Sequence, residues 1–141
     1  MKNILLIGGS YGIGLEIAKQ MSEHHNVIIA SRTDKNIPTN IKHISFDVLK
    51  DSITTIELPE TIDGLVYCPG SINLKPFKML SLEAFQKDMN INFMALMNTV
   101  HGLLSKLKNA EQASLVFFST VAVKVGMPFH TSVAAAKGAI E

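Results

Sequence analysis

Short apolar runs alternate along the chain with longer stretches in which apolar positions recur every three or four residues. Ile4 to Ile7 is too short for a helix and long enough for a buried strand. It breaks into Gly8, Gly9, Gly12 and Gly14. Ile13, Ile17, Ala18 and Met21 then follow at helical spacing, with Glu16, Lys19, Gln20 and Glu23 on the opposite side. Asn26 to Ala30 reads as a second strand, which completes a strand-helix-strand unit in about 30 residues. Such a unit sets its strands parallel through a right-handed crossover. The polar stretch from Ser31 to Pro38 leaves no room for a second full helix.

The same pattern predicts strands over Ile41–Phe46, Asp63–Cys68 and Ser114–Ser119, and at most a short helix over Asp51–Ile56. Ser81 is placed to cap a long helix, with Glu83 in its first turn and Ala84 where a full capping box would carry Glu or Gln. Phe85, Met89, Phe93, Leu96, Val100, Leu103, Leu104 and Leu107 form its expected apolar face, ending at Lys108. A last helix begins at Thr131. Strands that are apolar nearly throughout, alternating with helices, define an α/β architecture: a doubly wound parallel sheet covered on both faces. No repeat, low-complexity tract or internal boundary divides the chain, so residues 1–141 read as one domain.

Composition narrows the function. A net charge of +1 with no Lys/Arg cluster argues against nucleic acid or an acidic membrane surface, and towards a small-molecule partner. Cys68 is the single cysteine, which excludes an internal disulfide and fits a reducing compartment. The apolar start is interrupted by Gly8 and Gly9 and reaches Glu16 without a cleavage pattern, so it reads as strand and helix rather than a signal peptide. No stretch approaches the roughly 20 apolar residues of a membrane span, and a cytoplasmic location is expected. His24, His25 and His101 lack the Cys or carboxylate partners of a metal site.

In parallel sheets ligands bind beyond the carboxyl ends of the strands. The residues with chemistry gather there: Gly8 to Gly14 after the first strand, Ser31-Arg32 after the second, Asp47-Val48 after the third, Cys68-Pro69-Gly70 after the fourth, and Ser119-Thr120 after the fifth. Strand, glycines and helix in that order make a phosphate loop, since a backbone without Cβ atoms can bring N–H groups against an anion. A nucleoside-triphosphate loop is a poor fit, because Gly14-Leu15 stands where Lys-Ser/Thr would be required. Arg32 decides between dinucleotides: a 2′-hydroxyl calls for Asp or Glu near the end of the second strand, whereas a 2′-phosphate calls for a cation. NADP(H) is therefore expected over NAD(H), against the competing reading that Arg32 simply pairs with Asp34 in solvent.

Gly8-Gly9-Ser10-Tyr11-Gly12-Ile13-Gly14 resembles the Gly-x-x-x-Gly-x-Gly cofactor loop of the short-chain dehydrogenase/reductases, with Ile7 where Thr is common. The resemblance extends along the chain through Asp47-Val48, Tyr67-Cys68-Pro69-Gly70 in place of Asn-Asn-Ala-Gly, Asn92, Ser119-Thr120, Gly126, Pro128 and Lys137. It implies a Rossmann-like fold with strand order 3-2-1-4-5, incomplete because the family adds further strands and a substrate-covering loop beyond the Lys. It also implies a dinucleotide held by Gly8, Ser10, Tyr11, Gly12, Ile13, Gly14, Ser31, Arg32, Asp47, Val48, Cys68, Pro69, Gly70 and Lys137. Hydride exchange with a carbonyl or alcohol substrate would use Asn92, Thr120 and Lys137. An unpaired edge on the fifth strand makes self-association an expectation.

The family's acid/base Tyr stands four residues before the Lys, and here that position is Val133, which has no titratable proton. Thr120 occupies the position of the family's Ser and keeps the hydroxyl, while Ser119 should face the other side of the strand. His130, Thr131 and Ser132 are the neighbouring side chains that could carry a proton, with capping and packing as the alternative. If helical throughout, the segment would set His130 about 10 Å from Lys137. Two functional classes follow: an NADP(H)-dependent oxidoreductase, or an NADP-binding module without turnover, either a pseudoenzyme or a structural piece of a larger assembly.

Overall fold

The computed structural model describes all 141 residues. Its element order is β1 (Asn3–Ile7), α1 (Gly12–Met21), β2 (Asn26–Ser31), β3 (Lys42–Ser45), β4 (Gly64–Tyr67), α2 (Leu82–Met89), α3 (Ala95–Lys108), β5 (Ser114–Phe117) and α4 (Thr131–Gly138). The five strands form one parallel sheet in the order β3-β2-β1-β4-β5, as the resemblance implied. Apolar side chains leave the central strands alternately to the two faces. Leu5, Ile7, Ile28, Ala30, Leu65 and Tyr67 pack with Leu96, Leu103 and Leu107 of α3. Ile4, Leu6, Val27, Ile29 and Val66 pack with Ala18, beside Ile17 and Met21 of α1. Because both faces are covered, β1, β2 and β4 read as unbroken apolar runs.

The connection from β2 to β3 contains no helix. Asp51 to Ile56 shortens to a single 3-10 turn, Ile53–Thr55, whose Thr54 N–H is accepted by Ser52 Oγ at 3.4 Å. β1 and β2 each extend one residue beyond the expected bounds, whereas β3 and β4 stop one residue short at both ends and β5 two residues short, Phe118 and Ser119 already leaving the ladder. β5 is the sheet edge, with Leu115 42% and Val116 46% exposed.

The long helix starts as expected, with Ser81 Oγ accepting the Ala84 N–H at 3.2 Å. Its interior differs from the pattern. Asn90–Met94 forms a π turn between α2 and α3, and the innermost line begins with polar residues, Asp88 and Asn92, before passing to Leu96, Thr99, Leu103 and Leu107. Phe85 and Met89 are half-buried and Leu104 is exposed. The cause is Asn92: its Nδ2 donates to the Asp88 carbonyl at 2.9 Å, competing for an acceptor that a regular α-helix would give to backbone N–H.

Candidate functional site

A cavity of about 660 Å³ opens beyond the carboxyl ends of β1, β2 and β4. Each residue expected to hold a dinucleotide lines it, except Lys137. The glycine loop is fixed by continuing the ladders of the sheet: Gly8 N–H donates to Ala30 O at 2.8 Å, and Cys68 N–H to Ile7 O at 2.9 Å. Gly12 takes φ +58°, a conformation that favours glycine, and a Cβ there would meet nothing within 4 Å. Gly14 is where α1 presses on the loop: a Cβ would stand 2.9 Å from Cys68 Sγ and 3.0 Å from Gly8 O. α1 begins at Gly12 with no side-chain cap and no acidic residue in its first turn. Its orphan N–H groups and positive dipole end therefore face the cavity unpaired, which fits a pyrophosphate.

At the end of β2, Arg32 is exposed and makes no ion pair or side-chain hydrogen bond, so the pairing with Asp34 does not form. Ser31 and Ser10 beside it are buried. Ser31 Oγ donates to Thr33 O at 2.8 Å, and Thr33 Oγ1 donates to Ser10 Oγ at 3.2 Å. Asp47, after β3, accepts the Leu49 N–H at 3.0 Å, so its carboxylate is committed to its own turn. Phe46, Ile91 and Phe118 add apolar wall that the motifs did not indicate.

Asn92 and Lys137 come together at Gly70. A Cβ on Gly70 would lie 3.0 Å from Asn92 Oδ1 and 3.7 Å from Lys137 Nζ. Lys137 has no acceptor for its ammonium, and partial burial lowers its pKa, opposed by the neighbouring Cys68. Burial pushes the Cys68 thiol up to about 11, with Lys137 pulling the other way. Thr120 ends the excursion from β5, where its Oγ1 accepts the Ala122 N–H at 3.3 Å and keeps its own hydrogen for another acceptor. Ser119 lines the cavity, and its hydroxyl is given to Glu141 Oε1 at 2.6 Å.

Val133 is buried, 5% exposed, at the position of the family's Tyr. Two of its three proton-bearing neighbours are already engaged: Ser132 is fully buried and donates to Asp88 Oδ2 at 2.5 Å, and His130 Nδ1 lies 2.7 Å from Pro128 O. Since a carbonyl only accepts, that His130 nitrogen is the donor. Thr131 is exposed at the start of α4.

Asp88 is the residue the sequence reading missed. It is fully buried, and its carboxylate takes hydrogen bonds from Ser71 Oγ, Asn73 Nδ2 at 2.9 Å and Ser132 Oγ. Asn92 Nδ2 in turn donates to Ser71 Oγ at 3.2 Å. One carboxylate thus ties the loop after β4 and helix α4 to the helix that carries Asn92. Helical spacing offered the signal, because Asp88 lies four residues before Asn92 and eight before Leu96, on the inward line.

A strand-loop-helix anion site, a second-strand cation and an Asn/Lys pair across one cleft define a nucleotide-binding domain of the dehydrogenase kind. The family model for short chain dehydrogenases matches residues 2–141, and the chain belongs to that family, whose members bind nicotinamide dinucleotides. It is 24% identical, over 98% of its length, to a 3-dehydrosphinganine reductase of Danio rerio, and 26% identical, over 99%, to retinol dehydrogenase 8 of Homo sapiens. It covers 48% and 51% of those proteins, so it spans about half the length of the curated relatives it matches. Among solved structures, a short-chain dehydrogenase from Shigella flexneri superposes with a TM-score of 0.87 at 23% identity, over 99% of this chain and 71% of that one. The aldohexose dehydrogenase of Thermoplasma acidophilum gives 0.86 at 19% identity, over 99% and 57%. No helix is long and apolar enough to cross a membrane.

Proposed function

We propose that the chain binds NADP(H) in this cavity and acts as an oxidoreductase on a carbonyl or alcohol substrate. The observation that carries the cofactor reading is Arg32: a guanidinium with no partner beside buried hydroxyls, where a 2′-hydroxyl ligand would call for a carboxylate. The uncapped start of α1 would take the pyrophosphate, and Cys68, Pro69 and Gly70 would border the nicotinamide half. A bound dihydronicotinamide supplies hydride. The chain's own part is to hold the substrate oxygen and deliver a proton. Thr120 keeps a hydroxyl hydrogen for that oxygen, and Lys137 is the one ionisable cation at Gly70, its pKa lowered by burial. Asn92 is locked through its side chain and sets the wall opposite Lys137.

A second reading is favoured by the buried Val133: a dinucleotide-binding protein without turnover. Calorimetric titration with NADPH and NADH tests the first step, with tighter NADPH binding expected and most of the difference lost in Arg32→Ala. Equal affinities in the unaltered protein would refute the Arg32 argument. A substrate panel separates the two readings. The names of the curated relatives make 3-dehydrosphinganine and retinol its first members. Turnover that disappears in Thr120→Ala supports catalysis; binding without turnover supports the second reading.

A further inference from the structure

His43 lies on β3, paired in register with Ile29 of β2, and does not line the dinucleotide cavity. Its Nε2 stands 3.1 Å from Ser31 O and 3.1 Å from Ser31 Oγ. A carbonyl can only accept, so Nε2 carries the hydrogen. Ser31 Oγ has already given its own hydrogen to Thr33 O, which leaves its lone pairs to the imidazole. Thr33 is held a second time through its hydroxyl on Ser10, in the glycine loop. A chain of polar contacts thus runs from the edge strand through Ser31 and Thr33 to Ser10. Arg32 sits inside it, flanked by two anchored residues while its own side chain is free.

We propose that His43 is a positioning residue for recognition of the cofactor's 2′-phosphate, an inference that rests on the NADP(H) reading. Its Nε2–H fixes the last residue of β2, so that Arg32 leaves the strand in one direction, towards the cavity. A long side chain loses conformational freedom when it clamps a phosphate, and an anchored backbone reduces that loss. The effect is confined to one end of the ligand. Ser31, Arg32 and Thr33 border the cavity at the carboxyl end of β2, whereas the glycine loop and the end of β4, where the pyrophosphate and nicotinamide would lie, border it elsewhere. Disturbing His43 therefore weakens NADPH and leaves NADH unchanged.

The test compares His43→Phe and His43→Gln by calorimetric titration with each dinucleotide, alongside thermal melting and Arg32→Ala. Phe keeps a flat ring and strand preference and removes the donor, whereas the Gln amide restores one. The expected result is weaker NADPH binding in His43→Phe, by up to about fivefold, because the lost contact is one hydrogen bond within the protein. NADH affinity should be unchanged, and His43→Gln should recover most of the loss. Equal weakening of both dinucleotides, no weakening, or failure of Gln to restore affinity overturns the proposal. If Arg32→Ala leaves the NADPH/NADH ratio unaltered, the cofactor reading itself fails. If Arg32→Ala removes the preference and His43→Phe does not alter it, only the role of His43 falls.

Discussion

Replacing Asp88 with Ala should be among the most damaging single changes outside the apolar core. The carboxylate is fully buried and accepts from three donors, and Ala withdraws all three acceptor contacts at once. Ser132 is equally buried, so its hydroxyl bears the full cost of an unmet donor, about 2 kcal/mol. Ser71 and Asn73 are half-buried and can recruit water, which limits each to about 0.5–1 kcal/mol. The sum is about 3–4 kcal/mol, and at about 3 °C per kcal/mol for a chain of this length it lowers Tm by about 10 °C. Asp88→Asn keeps the volume and one acceptor oxygen, and Ser132 can turn to accept from the amide, so about 1–2 kcal/mol is expected. Urea unfolding followed by circular dichroism measures both, with an unchanged m-value as the check that only stability moved. Ser132→Ala closes a double-mutant cycle, in which the loss on Asp88→Ala should be smaller once Ser132 is gone. A loss below 1 kcal/mol for Asp88→Ala, or additive effects of the two variants, would refute the reasoning.

Two further outcomes follow from the site. Burial lowers the pKa of Lys137, so its charged form opposes folding: the penalty is complete below the folded pKa and relieved as pH rises through it towards the unfolded value. Lys137→Met should therefore be more stable than the unaltered protein at neutral pH, with the gap closing in alkaline solution, while dinucleotide affinity falls; denaturation midpoints across the pH range check the sign. Gly14→Ala forces a methyl to 2.9 Å from Cys68 Sγ and 3.0 Å from the Gly8 carbonyl, so α1 must move off the loop. It should abolish measurable dinucleotide binding at concentrations that saturate the unaltered chain, and retained affinity would show that α1 is not seated as described.

What could be read from sequence, and what could not, divides along the range of the interactions. β1, β2 and β4 are short apolar runs buried on both faces, and α1 has a regular amphipathic stripe, so local pattern and tertiary environment agree. Ser81 caps α2 by a bond three residues away, which is equally local. Asp88 lies in a polar stretch, Gln86-Lys87-Asp88, that resembles a solvated helix face; its partners Ser71 and Ser132 are brought to it by the loop after β4 and by α4, which packs on α2. The π turn has the same origin, since Asn92 is held at once by the Asp88 carbonyl and by Ser71 in a distant loop. His43 follows a third route: only the register of β3 against β2 brings its ring to Ser31.

The widened turn at Asn90–Met94 also acts as a phase correction between two helices. At 3.6 residues per turn, steps of four residues drift about 40° each around a helix axis. Asp88, Asn92 and Leu96 are nevertheless all buried, which a uniform α-helix would align less well. Deleting a single residue from the turn would let α2 and α3 fuse into one regular helix. The apolar line of α3 could then stay on the sheet only by rotating Asp88 and Asn92 out of it. Length at this point is thus as constrained as residue identity, and an alignment gap here would cost more than most substitutions.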